Sequence, residues 1–299
     1  MQIQQSFAAT NQGTLFLVPT PIGNLDDMTF RSVKILNEVD LIAAEDTRNT
    51  GKLLAHFEIK TPQTSFHEHN TQQRIPELIE KLKAGTSIAQ VSDAGLPSIS
   101  DPGHELVVAA IAADIAVVPL PGASASLTAL IASGLSPQPF YFYGFLPRKN
   151  KELVAALASF KTRQETIILY ESPHHLKRTL ADLNSAFGEN QPIVLGRELT
   201  KIHESFERGT ISELQAWYDA HDPRGEYVLL ISGPGQNQVD QRSNDLSDGE
   251  IIQAVDAKIE QGFKPNAAIK WVAEQLQKRR QEVYQIYHQI LANHIDDKD

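Results

Sequence analysis

Val91–Gly103 reads Val-Ser-Asp-Ala-Gly-Leu-Pro-Ser-Ile-Ser-Asp-Pro-Gly, and it joins the short apolar run Ser87–Val91 to a helical pattern over Glu105–Ala113. A buried strand ends there, the backbone turns through a Gly/Pro-rich loop, and a helix begins. In open α/β sheets, ligands bind beyond the carboxyl ends of the strands. Exposed main-chain amides at such a turn can hold a small molecule without a charged side chain. The loop therefore reads as the floor of a cofactor site. A plainer reading stays open beside it, an ordinary strand-to-helix connection with Asp93 and Asp101 serving as caps.

Working outward, strand-like and helical patterns alternate. Gly13–Val18 is extended and stops at Pro19-Thr-Pro-Ile-Gly-Asn24, where two prolines end any ladder and Gly-Asn supplies a turn. Thr29 can cap an amphipathic Phe30–Leu36. Val39–Ala44 is a second strand, and Thr47 can cap a helix to His56 with Arg48 in its first turn. A weaker strand, Gln63–Phe66, precedes a helix over Gln72–Lys83, and Ile115–Leu120 leads into Pro121-Gly-Ala-Ser-Ala-Ser126. This alternation implies a parallel-sheet α/β domain over 12–136. After the Pro-rich hinge Ser136–Pro139, strands at Phe140–Phe145, Thr166–Tyr170, Ile193–Glu198, Glu204–Gly209 and Glu226–Ile231 suggest a second α/β domain over 137–235. The strand over Glu204–Gly209 is polar at alternate positions, as an antiparallel strand with one wet face would be, so that sheet should be mixed. A polar linker, 236–249, then precedes three short amphipathic helices within 250–292, a small helical appendage of helix-turn-helix-like or packing character.

The chain has 299 residues and a formal charge of -10, which argues against an evenly basic nucleic-acid binder but leaves room for local basic patches. With 0 cysteines, disulfides, thiolate catalysis and Cys-based zinc sites are excluded. The polar start Met1–Gln12 lacks signal-peptide design, and no apolar run reaches membrane-spanning length, so a cytoplasmic protein without a membrane partner is expected. No G-x-G-x-x-G follows the first strand, no P-loop precedes Gly51-Lys52, and neither H-E-x-x-H nor G-x-S-x-G occurs. His67 and His69 flank Glu68 at a spacing unsuited to a helical zinc site, and no metal is expected.

Seven motifs in order carry a resemblance. They are V-P-T-P-I-G-N-L-D-D at Val18–Asp27, A-A-E-D-T-R at Ala43–Arg48, the Ser92–Gly103 loop, P-G-A-S-A at Pro121–Ala125, F-Y-G-F-L-P-R at Phe142–Arg148, Y-E-S-P-H at Tyr170–His174, and G-R-E-L-T-K-I-H-E at Gly196–Glu204. Together they resemble the tetrapyrrole-methylase superfamily, and within it the branch that 2'-O-methylates a cytidine of 16S rRNA. The resemblance covers about residues 12–233. It implies a two-domain tetrapyrrole-methylase-like α/β fold and a homodimer. It also implies S-adenosyl-L-methionine bent into the cleft between the domains, and 16S rRNA, within the small ribosomal subunit, as partner. By similarity, Asp93, Ala94, Gly95, Ala123, Ser124 and Ser126 line the cofactor pocket, with Tyr170, Leu199 and the segment holding Ser232 approaching from the second domain.

Methyl transfer to a ribose hydroxyl needs an aligned oxygen and a group to take its proton. Candidates are Glu45, Asp46, His67, Glu68 and Asp93, the last awkward if it already contacts the cofactor, and Asp46 or Glu45 is the preferred base. The competing assignment has Asp46 capping the following helix and Glu45 paired with Arg48. Arg48, Lys52, Arg148, Lys149, Lys151, Arg197 and Lys201 are expected on a basic rim for RNA phosphates, with His67, His69 and Phe145 as stacking surfaces. Two other accounts remain open: the same fold acting on a tetrapyrrole or another small molecule, and a non-catalytic RNA-binding or ribosome-assembly protein.

Overall fold

The computed structural model describes residues 1–6, 11–233, 248–276 and 278–293. The chain divides into two compact units, 1–234 and 235–299. The first holds both α/β halves of the expected layout as two sheets. Most of the expected 236–249 linker falls outside the described residues.

The first sheet is built from β1 (Leu15–Leu17), β2 (Leu41–Ala44), β3 (Gln63–Ser65), β4 (Ile88–Val91) and β5 (Val117–Pro119), in the order β3-β2-β4-β1-β5 and parallel throughout. Its strands are short, and all but the edge strand β3 (Gln-Thr-Ser) are largely apolar, because helices cover both faces. One face packs on Leu36 of α1 (Phe30–Glu38) and Leu54 of α2 (Thr47–His56). The other packs on Leu78 and Leu82 of α3 (Thr71–Lys83) and Leu106 of α4 (His104–Ala112). Thr29 caps α1, accepting from the Ser32 amide at 3.0 Å. The cap of α2 is Asp46, whose carboxylate accepts from the Arg48 amide at 2.8 Å, so Thr47 is the first helical residue instead of the cap.

The second sheet comprises β6 (Phe140–Phe145), β7 (Thr166–Glu171), β8 (Pro192–Arg197), β9 (Ser205–Thr210) and β10 (Tyr227–Ile231), ordered β6-β7-β10-β8-β9. Only β6 and β7 are parallel, so the sheet is mixed. Its outer face carries a large core under α6 (Asn150–Phe160), α7 (Leu176–Phe187) and α8 (Ile211–Ala220). The helix α8 had no counterpart in the expected layout. Its capping box, Thr210 with Glu213, and its buried Ile211, Leu214 and Tyr218 are a legible helix start and stripe.

The inner face of this sheet is covered by α5 (Ala125–Ser133), the helix that follows β5 of the first sheet. Its buried side presents Ala129 and Leu130 to Ile168, Val194, Val228 and Leu230. Both ends are tied to the second sheet. The Ser126 amide donates to the Tyr170 hydroxyl at 3.2 Å, and Arg208 donates to the Ala132 and Ser133 carbonyls at 2.6 and 3.1 Å. Gly134, at φ 83°, then ends the helix in the left-handed conformation that glycine adopts without strain.

The second unit contains α9 (Asp248–Glu260), α10 (Pro265–Gln275) and α11 (Arg280–Asn293) around their own small core of Ile251, Val255, Ile269, Val272 and Val283.

Ile168 is fully buried under α5. Ile168→Ala should therefore lower unfolding free energy by about 2–5 kcal/mol. At roughly 2–4 °C per kcal/mol for a unit of this size, calorimetry should read a clear drop in melting temperature.

Candidate active site

The carboxyl end of β1 is pinned to the loop after β4 by a two-way main-chain bridge. Thr20 and Gly95 each donate to the other's carbonyl at 3.0 Å. Gly95 sits at φ 77°, and a Cβ there would press on Ile22 at 3.3 Å, so glycine suits both the turn and the close approach. Beyond this bridge, between the two sheets, lies a cavity of about 260 Å³. Ile22, Ala94, Gly95, Leu96, Ile99 and Asp101 wall it from the first sheet's loops. Ser124 and Ala125 come from the start of α5, and Phe145, Tyr170, Glu171, Leu199, Glu226 and Val228 from the second sheet. A second cavity, of about 250 Å³, lies on the other side of the bridge residues and includes Thr20, Asn49, Lys52 and Asp93.

Among the residues expected to hold the cofactor, Ala94, Gly95, Ser124, Tyr170 and Leu199 meet at the first cavity. Ala123 stands just behind, its carbonyl 3.6 Å from a Cβ built on Gly95. Ser126 is buried and shapes the wall through its amide bond to Tyr170 and a 3.1 Å contact with the Ser124 hydroxyl. Asp93 turns to the second cavity, accepting from the Asn49 side chain at 3.0 Å. Ser232 does not reach this cavity. Antiparallel pairing puts Tyr227 and Val228 beside Glu171 and Tyr170, so β10 runs away from the cavity, and Ser232 ends beyond its far end, bonded to Gln191.

The acid–base expectations divide. Asp46 caps α2 and forms a two-point ion pair with Arg48, at 3.1 and 2.6 Å. That pairing holds its carboxyl well below the usual range, which makes it a poor proton acceptor. Glu45 does not pair with Arg48; it accepts from the Asp93 amide at 3.2 Å, and burial, joined by the Asp93 and Asp46 charges, raises its pKa. His67 is close enough to Glu45 to pull the other way, while its own ring contacts Asn70 at 3.3 Å.

The residue overlooked is Asp101. It does not cap α4, because Gly103 occupies that position at φ 144° with no side-chain cap. Instead Asp101 is one of the residues lining the cavity, and burial, followed by the Glu45 and Asp93 charges, raises its pKa to about 6, although a Ser92 hydrogen bond works against the shift. Glu171 was overlooked too. It is buried and satisfied by the Ser172 amide at 2.8 Å, the Thr179 hydroxyl at 2.6 Å and Arg148 at 3.3 Å.

The expected basic rim is thinner than its seven residues. Arg148 is committed to Glu171, and Arg197 donates to the Arg224 carbonyl at 2.7 Å. Lys201 is half-buried between Glu198 and Glu226, at 2.9 Å from each. Arg48, Lys52, His69, Lys149 and Lys151 are exposed.

Apolar walls, main-chain amides and carboxylates suit a cationic, partly aromatic molecule such as S-adenosylmethionine, because the acids favour positive charge and the walls favour flat apolar surface. The comparisons give the class. Residues 14–215 match the family model of the tetrapyrrole (corrin/porphyrin) methylases. The same fold occurs in the uroporphyrin-III C-methyltransferase of Thermus thermophilus complexed with S-adenyl homocysteine, at TM-score 0.54 and 13% identity over 74% of this chain and 97% of that one. It occurs again in diphthine synthase, at TM-score 0.58 and 13% identity over 74% and 90%. These two likenesses speak to fold alone. Much nearer in sequence is ribosomal RNA small subunit methyltransferase I of Streptococcus pyogenes serotype M3, 53% identical over 97% of this chain and 100% of the relative. The protein of that name from Bacillus subtilis is 49% identical over 95% and 98%. The chain belongs to the tetrapyrrole methylase family, in its ribosomal RNA small subunit methyltransferase I branch.

The unfolded carboxyl of Asp101 ionises near 3.8, and the folded one near 6. Folding therefore favours the protonated form, and the penalty for ionisation grows between those values and is complete above about 6. Asp101→Asn should raise the melting temperature of the ligand-free protein above pH 6, with the difference closing as pH falls towards 4.

Proposed function

We propose that the chain transfers the methyl group of S-adenosylmethionine to the ribose 2'-oxygen of a cytidine in 16S rRNA. We place it on the small ribosomal subunit, as a homodimer in the cytoplasm. Among the described residues, no helix is long and apolar enough to cross a membrane. The observation that carries the reading is the cavity beside the Thr20–Gly95 bridge, walled by the loops that bear the methylase motifs. It is supported by near-full-length likeness to proteins named for methylating small-subunit ribosomal RNA.

In this reading the cofactor supplies an electrophilic methyl group on a sulfonium. The protein's part is to position and to exclude water. Ala94, Gly95 and Ser124 hold it from the first sheet's side, and Ile22, Leu199 and Val228 give an apolar bed. Tyr170, fixed by the Ser126 amide, and Glu171, fixed by three donors, keep the opposite wall rigid. Such fixed geometry matters because in-line transfer depends on alignment more than on chemical activation. Lys149 and Lys151 follow Phe145 of the cavity wall in the chain, and with Arg48, Lys52 and His69 they form the RNA-facing rim of the proposal.

Incubation of undermethylated small subunits with labelled cofactor, followed by mass spectrometry of the rRNA, should find one labelled cytidine methylated on its sugar. Label on a base, or in a small molecule only, would sink the RNA reading. Paired reversals Lys149→Glu and Lys151→Glu should weaken RNA binding and reduce the slope of log affinity against log salt by about 2. An unchanged slope would remove this patch from the rim. Light scattering should return twice the 33.1 kDa chain mass if the dimer is right.

A further inference from the structure

We propose that Asp101 is the catalytic base of the transfer, and that Glu45 acts as a positioning residue that tunes it. This rests on the methyltransferase reading and adds the proton acceptor that the reading leaves unassigned. Bond formation between the ribose 2'-oxygen and the methyl carbon accompanies breakage of the carbon–sulfur bond. The sulfur leaves with the electron pair as a neutral thioether, and the hydroxyl proton passes to an Asp101 carboxylate oxygen.

Three observations set Asp101 apart from its acidic neighbours. First, Glu45, Asp46 and Asp93 do not line the main cavity, and Asp101 does. Second, the neighbours are engaged elsewhere: Glu45 with the Asp93 amide, Asp46 with α2 and Arg48, and Asp93 with Asn49. Of the other acids on the cavity, Glu171 is held by Ser172, Thr179 and Arg148, and Glu226 is exposed and paired with Lys201 at 2.9 Å.

Third, the loop is built to hold Asp101 where it is. Ser98 and Ser100 lie at φ 72° and 63°, left-handed conformations that persist for such residues only when the surroundings impose them. From β4, the buried Gln90 side chain donates to the Pro102 carbonyl at 2.8 Å. Gln90 also fills the space that a Cβ on Gly103 would need. The residue after Asp101 is therefore clamped to the sheet floor, and the one before it is strained towards the β6 bulge, where a Cβ on Gly144 would lie 3.3 Å from the Ser100 hydroxyl.

The charged and titratable groups facing Asp101 are Glu45 from the end of β2, Asp93 and the Ser92 hydroxyl from the end of β4, and Tyr170 from β7. Acids facing acids raise the affinity for a proton, and Asp101 ionises at about 6, near enough to neutrality to be both charged and useful as a base. Removing the Glu45 charge should make Asp101 easier to ionise and hence lower its pKa.

The test combines rate, affinity and titration. Single-turnover methylation of small subunits should rise with pH through about 6 and then level off. Asp101→Asn should slow it by a hundredfold or more, with cofactor affinity by calorimetry changed less than threefold. Glu45→Gln should move the rising limb to lower pH. Independently of activity, carbon-13 NMR of aspartate-labelled protein should show a carboxyl titrating near 6 that is absent in Asp101→Asn and shifted to lower pH in Glu45→Gln. A rate within fivefold of wild type in Asp101→Asn would overturn the proposal, as would loss of cofactor binding in that variant or an immobile limb in Glu45→Gln. If Asp101→Asn does not fold, the limb and the carbon-13 signal in wild type and Glu45→Gln decide. Failure of the wild-type chain itself to bind cofactor or methylate RNA would instead sink the broader reading.

Discussion

The arrangement depends on one helix that starts in one sheet's loops and is buried against the other sheet. α5 leaves β5 and lays Ala129 and Leu130 on Ile168, Val194 and Leu230. Burial of each of the leucine, isoleucine and valine side chains contributes about 1.5–3 kcal/mol. The end contacts, Tyr170 at its first turn and Arg208 at its last carbonyls, fix where the helix stops sliding. A cation at a helix carboxyl terminus also interacts favourably with the helix dipole. With α5 locked, the loops after β1 and β4 face the start of β10 and the end of β7, and the cavity is the space left between them.

That space has a chemical bias. Its walls are largely apolar, yet Asp101, Glu171 and Glu226 reach it, and only Glu171 is held by three donors. Asp101, half-buried near the Glu45 and Asp93 charges, is costly to ionise in the empty protein, and a cation entering beside it relieves that cost. Stability is given up at the place where a positively charged ligand restores it, as is common at binding sites. The rim follows the same logic in reverse. Cations that looked free in the sequence, Arg148, Arg197 and Lys201, are consumed in holding carboxylates and carbonyls, which leaves Arg48, Lys52, Lys149 and Lys151 exposed for an anionic partner.

Much of this was legible in the chain. Apolar runs or polar alternation of strand length, broken by Pro/Gly turns, place the ten strands among the described residues to within a residue or two, and Gly95 and Ser124 line the cavity at strand-to-helix loops. What could not be read was pairing. Ser232 follows a strand that happens to run away from the cavity, and direction within a mixed sheet is set by long-range partners. Asp46 and Asp101 are both aspartates just ahead of helices. One is a cap and the other is not, because Gly103 stands at the cap position of α4 and Asp101 lies two residues before it, on the cavity. The start of α8 is written in Thr210 and Glu213, but Thr210 is also the last residue of the polar strand β9, so one short stretch carries both the ladder's end and the helix's cap.

The cavity wall opens with Ile22 and is completed only by Val228. A chain emerging from the ribosome can assemble its first sheet early, but it has no place for a ligand until more than two hundred residues of sequence have been made. Ligand capture would then report on nearly complete synthesis of the first compact unit, and a truncated product would carry folded sheet without the capacity to react.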